Sequence, residues 1–261
     1  MTTTILITGT AKRIGKAIAH TFARHGCNIA IHYLHSKREA LSLQQEVQQN
    51  YTVESEIFSA DLLQLSDINH LVDDTLYRFG RLDHLVNNAS IFYPTPIEQL
   101  SENDLQNFLM VNYRAPQNLM RQAAPHLARH KGSIINLIDI YANAGLSEHT
   151  AYVSSKAALF AQTQAMAREL APSVRVNGIS PGAILWPDLS DTQPTTAQSA
   201  IENTEQDAKA KEKREQIIQN SALKKLGSAE NIAATALFLA FDADYITGQT
   251  IRVDGGRRDY I

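Results

Sequence analysis

Short runs of apolar and β-branched residues alternate along the chain with longer segments whose apolar positions recur at helical spacing. Strands separated by helices predict right-handed crossovers, and therefore a parallel sheet covered by helices on both faces. The expected fold is an α/β doubly wound sheet in a single domain over residues 1–261, with ligands at the carboxyl ends of the strands. The runs predict seven strands, at Thr4–Ile7, Asn28–Leu34, Ser55–Ala60, His84–Asn87, Ser133–Ile138, Arg175–Ile179 and Thr250–Val253.

Polar residues and a glycine mark the ends of several predicted helices. Ser66, Ser101 and Ser228 each stand before a helical stretch, where a side-chain oxygen can accept a free backbone N–H. Gly80 ends the helix that Ser66 is predicted to open, because glycine readily adopts the left-handed conformation found after helices.

Residues 188–220 depart from this pattern, since they begin polar and become densely charged. They predict either a solvated surface helix or a lid over the site, within a substrate-loop region at about 185–222. Trp186 lies in the same region, and the sequence indicates no role for it.

Composition excludes some classes of protein. The 24 Lys and Arg residues are scattered and are outnumbered by 27 Asp and Glu, so nucleic acid is not an expected partner. The apolar stretch 233–241 is too short to span a bilayer and predicts a buried helix. Cys27 is the only cysteine, which excludes an intrachain disulfide and a cysteine metal cluster; we expect a cytoplasmic protein without a metal site.

A glycine turn follows the first predicted strand and opens a helix, in the segment Thr8-Gly9-Thr10-Ala11-Lys12-Arg13-Ile14-Gly15. Gly9 permits a tight turn, Gly15 permits close helix packing, and free backbone N–H groups at the helix start can hold a pyrophosphate. Arg13 occupies the place of the usual middle glycine, where it either fills space or points at an anion. The turn predicts a dinucleotide site that includes Lys12 and Ile14.

The end of the second strand indicates which dinucleotide is bound. An NAD site normally offers an acidic side chain there, but no carboxylate occurs before Glu39. Lys12, His35, Ser36 and Lys37 could instead surround a 2′-phosphate; the alternative is that they are polar surface side chains that bind no ligand. NADP(H) is the predicted cofactor.

Two further strand ends contribute candidate cofactor contacts. Asp61 and Leu62 follow the third strand, where they could meet the adenine amino group and ring. Asn88 and Ala89 end the fourth strand, where small side chains would let the cofactor ribose approach.

Tyr152 and Lys156 are four residues apart in a helix-forming stretch and therefore share a face. A neighbouring ammonium favours the phenolate, which predicts a lowered pKa for Tyr152 and a usable general acid or base. Asn112 lies between helical segments, where its side chain could hold a water and relay protons.

Taken in order, these features resemble the short-chain dehydrogenase/reductase family over nearly the whole chain. The matching segments are Thr8 to Gly15, Asn87 to Ala89, Asn112, Tyr152 to Lys156 and Ser180-Pro181-Gly182. The resemblance implies a Rossmann-like domain, cofactor contacts at Pro181 and Gly182, and a homotetramer. It implies that Tyr152 donates a proton, Lys156 binds the nicotinamide ribose and Asn112 completes a water relay; Arg257 and Arg258 could reach a neighbouring subunit.

One position departs from the family pattern. The usual serine, thirteen residues before the tyrosine, is here Asp139. Serine donates a hydrogen bond to a carbonyl oxygen, whereas an ionised aspartate only accepts and would repel a developing alkoxide. A carboxylate suits a nitrogen heterocycle, because it can accept hydrogen bonds from the ring N–H groups. The ring nitrogen must also be protonated after hydride transfer, through a water that Asp139 could hold.

Other residues resemble the pteridine reductases within the family: Lys12-Arg13, His32-Tyr33 with Ser36, Asn88-Ala89-Ser90, and Phe92-Tyr93-Pro94-Thr95-Pro96. That resemblance implies that Phe92 stacks on a pterin, and that Ser90 and Arg13 contact pterin and phosphate groups. His35 stands where that group tends to carry an arginine.

The predicted function is NADPH-dependent reduction of a pterin, dihydropterin or dihydrofolate, with Asp139, Tyr152, Lys156 and Asn112 as the catalytic set. Two alternatives stay open. The first is a carbonyl reductase of the same family, and the second is a catalytically weak NADP(H)-binding sensor or scaffold.

Overall fold

The computed structural model describes residues 2–184, 211–212 and 214–257. Within them, seven parallel strands form one sheet in the order β3-β2-β1-β4-β5-β6-β7, which confirms the predicted doubly wound fold. The strands are β1 (Thr4–Ile7), β2 (Asn28–Tyr33), β3 (Ser55–Ser59), β4 (His84–Asn87), β5 (Ser133–Leu137), β6 (Arg175–Pro181) and β7 (Thr250–Val253).

Helices cover both faces of this sheet. They are α1 (Arg13–Arg24), α2 (Lys37–Asn50), α3 (Leu65–Phe79), α4 (Glu102–Leu109), α5 (Ala115–Ala128), α6 (Thr150–Leu170) and α7 (Ala229–Phe241), with a π-helix at Met110–Arg114 and a 3-10 helix at Ile140–Asn143. Successive strand residues point to opposite faces, so Ile5 and Ile7 pack in one core with α1 and α7, whereas Leu6 packs in the other with α3 and α5. Each strand therefore needs apolar residues on both faces.

The helix-end predictions are partly confirmed. Ser101 and Ser228 cap α4 and α7, and each takes part in a reciprocal capping box. Gly80 ends α3 with a φ of +73°, as predicted. The prediction for Ser66 was wrong, because the residue that precedes α3 is Gln64, two residues earlier, whose carbonyl accepts the N–H of Ile68.

The strand order places one crevice at the carboxyl edge of the sheet. The chain leaves β1 toward β2 and β3 on one side and continues through β4 to β7 on the other. Ligands of doubly wound sheets bind where the order reverses in this way. The loops after β1 and β4, which carry Gly9 and Ala89, meet at this point.

Some predictions fall beyond this description. Trp186 and residues 188–210 of the predicted substrate loop lie outside the described residues, as does Arg258. Arg257 is described, and its guanidinium lies 5.7 Å from the ring centroid of Tyr141 in the same chain. No helix in the described part of the chain is long and apolar enough to cross a bilayer.

Candidate active site

The turn after β1 depends on its two glycines. Gly9 has a φ of +63°, and a Cβ there would lie 3.0 Å from the Cα of Ala89. A Cβ on Gly15 would lie only 2.4 Å from the carbonyl oxygen of Gly9. Any side chain at either position would force the turn and the start of α1 apart.

Arg13 replaces the usual middle glycine at a cost in backbone conformation. Its φ is +52°, in the left-handed region that favours glycine, and it is the first residue of α1. The preceding Lys12 makes no side-chain hydrogen bond that caps the helix. The N–H groups of the first turn therefore remain available for an anion.

His32 stabilises the glycine turn through a hydrogen bond to its backbone, a role that the sequence did not predict. Its Nδ1 accepts the N–H of Gly9 at 2.9 Å, and its Nε2 lies 3.0 Å from the carbonyl oxygen of Ala60. This pairing requires a neutral ring with the proton on Nε2, and burial lowers the pKa of His32 to about 4. A histidine inside an otherwise apolar strand was the only signal in the sequence.

The fourth strand closes the turn from the other side. Thr8 Oγ1 accepts the N–H groups of Asn88 and Ala89, both at 2.9 Å. The amide of Asn88 donates to the carbonyl oxygens of Thr8 and Gly9. The Asn88 side chain therefore holds the glycine turn in shape.

A cavity of about 600 Å³ opens above this turn. It brings together most of the predicted cofactor residues: Gly9, Lys12, Arg13, Ile14, Gly15, Asp61, Leu62, Asn88, Ala89, Tyr152, Pro181 and Gly182. It is also lined by Ser90 and Phe92, predicted to contact substrate, and by His32, Leu34, Ala60, Leu63, Ile91, Val111, Ala183 and Ile184.

The predicted 2′-phosphate cluster is only partly assembled. Lys12 lines the cavity, whereas His35 and Ser36 are not among its lining residues; His35 is exposed and Ser36 is half-buried. Ser36 precedes α2, and its side chain makes no hydrogen bond that caps that helix.

Tyr152 lines the cavity and is hydrogen-bonded to Asp139, which is not among the lining residues. The phenol of Tyr152 donates to Asp139 Oδ2 at 2.6 Å. The other carboxylate oxygen accepts the N–H of Tyr141 at 2.8 Å, at the start of the 3-10 helix. Asp139 is thus fixed by one bond while its second oxygen faces the phenol.

The predicted lowering of the Tyr152 pKa was wrong. Burial raises the pKa of Tyr152 well above its usual value, and the nearby charge of Asp139 raises it further by favouring the protonated phenol. The helical spacing of Tyr152 and Lys156 indicates neither the desolvation of the phenol nor the nearby carboxylate. Tyr152 therefore keeps its proton at neutral pH, as a proton donor requires.

Lys156 is almost fully buried on the same helix. Its ammonium donates to the carbonyl oxygen of Leu137 at 2.8 Å and lies 5.9 Å from the centroid of the Tyr152 ring. Burial lowers the pKa of Lys156 to about 8, and Asp139 opposes that shift. At neutral pH Lys156 is still cationic.

Asn112 lies in the π-helix, a wider turn often found at functional sites. Its amide donates to Ile91 O and to Ser155 Oγ, and its Oδ1 accepts the N–H of Ile91. The side chain thus ties the loop after β4 to α6 beside Lys156. The predicted water relay stays a prediction.

Phe92 forms the exposed rim of the cavity. It is 58% exposed and stacks on His149 with 4.7 Å between ring centroids. Its other contact is edge-to-face with Tyr152, also at 4.7 Å. A large aromatic side chain left this exposed beside the phenol of Tyr152 is suited to cover a flat ligand.

Together, the crevice, the glycine turn and the buried Tyr152–Lys156 pair define a dinucleotide-dependent oxidoreductase. The profile of a family described as "Enoyl-(Acyl carrier protein) reductase" matches residues 9–258. The chain belongs to the short-chain dehydrogenase/reductase family, as predicted.

Several known proteins resemble this chain over nearly its whole length. It is 32% identical to the 3-oxoacyl-(acyl-carrier-protein) reductase FabG of Staphylococcus aureus (strain Mu50), covering 98% of both chains. It is 33% identical to the L-fucose dehydrogenase of Mus musculus, covering 97% of this chain and 87% of the relative. The crystal structure of a blue fluorescent protein from a metagenomic library in complex with NADPH superposes with a TM-score of 0.83, at 28% identity over 97% of both chains.

Proposed function

We propose that this protein uses NADPH to reduce a pterin, dihydropterin or dihydrofolate to the tetrahydro form. The observation that carries the proposal is the 2.6 Å hydrogen bond from Tyr152 to Asp139, at the position where the family pattern has a serine. The family's serine can donate a hydrogen bond to the substrate, whereas the Asp139 carboxylate beside Tyr152 can only accept one.

The cavity fits a nicotinamide dinucleotide. Gly9 and Gly15 leave no room for a Cβ, which keeps the backbone close to a bound pyrophosphate, and the first turn of α1 presents free N–H groups to it. Asp61, Leu62 and Ala89 would line the adenosine and ribose, and Lys156 would hold the nicotinamide ribose. Lys12 supplies a cation for the 2′-phosphate, and a structural relative is a complex with NADPH.

A carbonyl substrate fits this pair poorly. As a carbonyl is reduced, negative charge grows on its oxygen, and loss of one positioned donor typically slows such reactions by about 10²–10³-fold. An ionised carboxylate only accepts hydrogen bonds, and its charge would repel the developing alkoxide. A ring N–H, by contrast, donates to that carboxylate.

The proposed mechanism has one proton source for each ring nitrogen. Each C=N bond of the pyrazine ring that is reduced takes one hydride on carbon, which bound NADPH would supply, and one proton on nitrogen. Tyr152, kept protonated by burial and by Asp139, gives the proton in the reduction of one such bond, and a water that Asp139 orients gives it in the reduction of the other. Lys156 stabilises the resulting phenolate, Ser90 and Arg13 contact the pterin and the phosphates, and Phe92 covers the ring.

A carbonyl reductase is the second candidate, and the names of the relatives favour it. Both 3-oxoacyl-(acyl-carrier-protein) reductase and L-fucose dehydrogenase act on carbonyl or hydroxyl groups. For this alternative to hold, Asp139 would have to be protonated or displaced from the carbonyl oxygen.

A spectrophotometric panel separates the two candidates from an inactive binding protein. NADPH and NADH consumption is followed with oxidised pterin, dihydrobiopterin, dihydrofolate, a 3-oxoacyl thioester and simple ketones. We expect turnover with pterins or dihydrofolate. Turnover confined to carbonyl compounds would establish the second candidate, and binding of NADPH without turnover would indicate a sensor or scaffold.

The pH profile tests the role of Lys156. Because its pKa is about 8, Lys156 is an ammonium below that pH and neutral above it. We therefore expect kcat to fall as pH rises through about 8. In the Lys156→Arg variant, whose guanidinium stays charged, residual activity should lack this fall. The same fall in both proteins would assign it to another group.

A further inference from the structure

Lys12, one of the cations that line the cavity, already has an anionic partner. Its Nζ lies 3.1 Å from Glu39 Oε1, with side chains that are 57% and 31% exposed. Lys12 lines the cavity, whereas Glu39 belongs to the first turn of α2 just outside it. The ion pair therefore bridges the glycine turn and α2.

Hydrogen bonds stabilise the ionised form of the Glu39 carboxylate beside Lys12. Its own backbone N–H and the Lys12 side chain lower the pKa of Glu39, so it is ionised at neutral pH. Arg38 lies 3.7 Å from the same oxygen. The start of a helix also favours negative charge.

We propose that Glu39 sets the strength of selection between NADPH and NADH by competing with the 2′-phosphate for Lys12. This inference rests on the proposed use of NADP(H). A 2′-phosphate must displace Glu39 from Lys12, or share the cation with it at the cost of like-charge repulsion. The 2′-hydroxyl of NADH carries no charge and makes no such demand, so Glu39 penalises NADPH alone.

The chain contains a matched control in Glu46. This carboxylate, also on α2, lies 2.8 Å from Lys16 and 3.1 Å from His20, both on α1. None of these three residues lines the cavity. Glu46→Gln therefore removes the same charge from the same helix without freeing a cavity cation.

The test is equilibrium binding by titration calorimetry of adenosine 2′,5′-bisphosphate and adenosine 5′-monophosphate, repeated with NADPH and NADH. Exposed ion pairs contribute little, so we expect Glu39→Gln to tighten the bisphosphate by about two- to fivefold. Binding of the monophosphate, and of both nucleotides to Glu46→Gln, should stay at the wild-type value. In a Lys12→Gln background the gain from Glu39→Gln should vanish.

Each other outcome is decisive. Unchanged bisphosphate binding in Glu39→Gln would overturn the inference alone, and weaker binding would show that Glu39 orients Lys12 for the phosphate. An equal gain in bisphosphate affinity in Glu46→Gln would attribute the effect to the net charge of the protein and overturn the inference. If the wild-type protein binds the bisphosphate no better than the monophosphate, both the inference and the proposed 2′-phosphate site are overturned. A failure of pterin turnover, by contrast, would leave these binding results intact.

Discussion

Turnover of dihydrobiopterin is expected to fall by about 10²–10⁴-fold in the Tyr152→Phe variant, the range for loss of a positioned general acid. In the proposed mechanism the phenol is the proton source, and Asp139 helps to keep it protonated. Phe removes the hydroxyl while preserving the ring that contacts Phe92. Steady-state kinetics with NADPH measures the loss.

Binding and folding controls accompany this variant. NADPH affinity, measured by fluorescence titration, should change little, because the ring of residue 152 still lines the cavity. The melting temperature shows whether loss of the hydrogen bond from residue 152 to Asp139 destabilises the fold. A correctly folded variant with full activity would remove Tyr152 from the mechanism.

Asp139→Ser is expected to reduce pterin turnover by about 10²-fold or more, since in the proposed mechanism it removes the group that orients the water protonating one ring nitrogen. It should simultaneously raise reduction of a 3-oxoacyl thioester, because serine restores a donor for a carbonyl oxygen. Loss of the carboxylate also removes one cause of the raised Tyr152 pKa, but Tyr152 stays protonated at neutral pH in either protein because it remains buried.

Asp139→Asn provides the matched control for charge. The amide keeps the size of the carboxylate and loses its charge, so we expect low pterin turnover with NADPH affinity retained. Equal pterin activity in wild type, Asp139→Ser and Asp139→Asn would contradict the assigned role. Equal loss of NADPH binding and turnover would indicate damage to the cofactor site.

The sheet could be predicted from sequence because its information is local. Runs of β-branched residues, followed by helical periodicity, placed all seven strands to within two residues at each end. Ser101 and Ser228 were readable for the same reason, since a cap acts within one helical turn. Ser66 misled because the carbonyl of Gln64, two residues earlier, already begins the helix.

The properties of the site were harder to predict from the sequence, because they depend on groups far apart in the chain. The direction of the Tyr152 pKa shift reflects burial and Asp139, neither of which the helix spacing of Tyr152 and Lys156 reports. Similarly, the Lys12–Glu39 pair and the support of Gly9 by His32 join residues more than twenty positions apart. Such contacts exist only after the sheet has brought the loops together.

The most direct test of the central claim, that Asp139 suits the site to a ring nitrogen, is the ratio of kcat/KM for dihydrobiopterin to that for a 3-oxoacyl thioester with NADPH. The missing donor and the repelled alkoxide predict a ratio of about 10² or more in favour of the pterin. A ratio below one, with an active enzyme, would contradict the account and identify the protein as a carbonyl reductase.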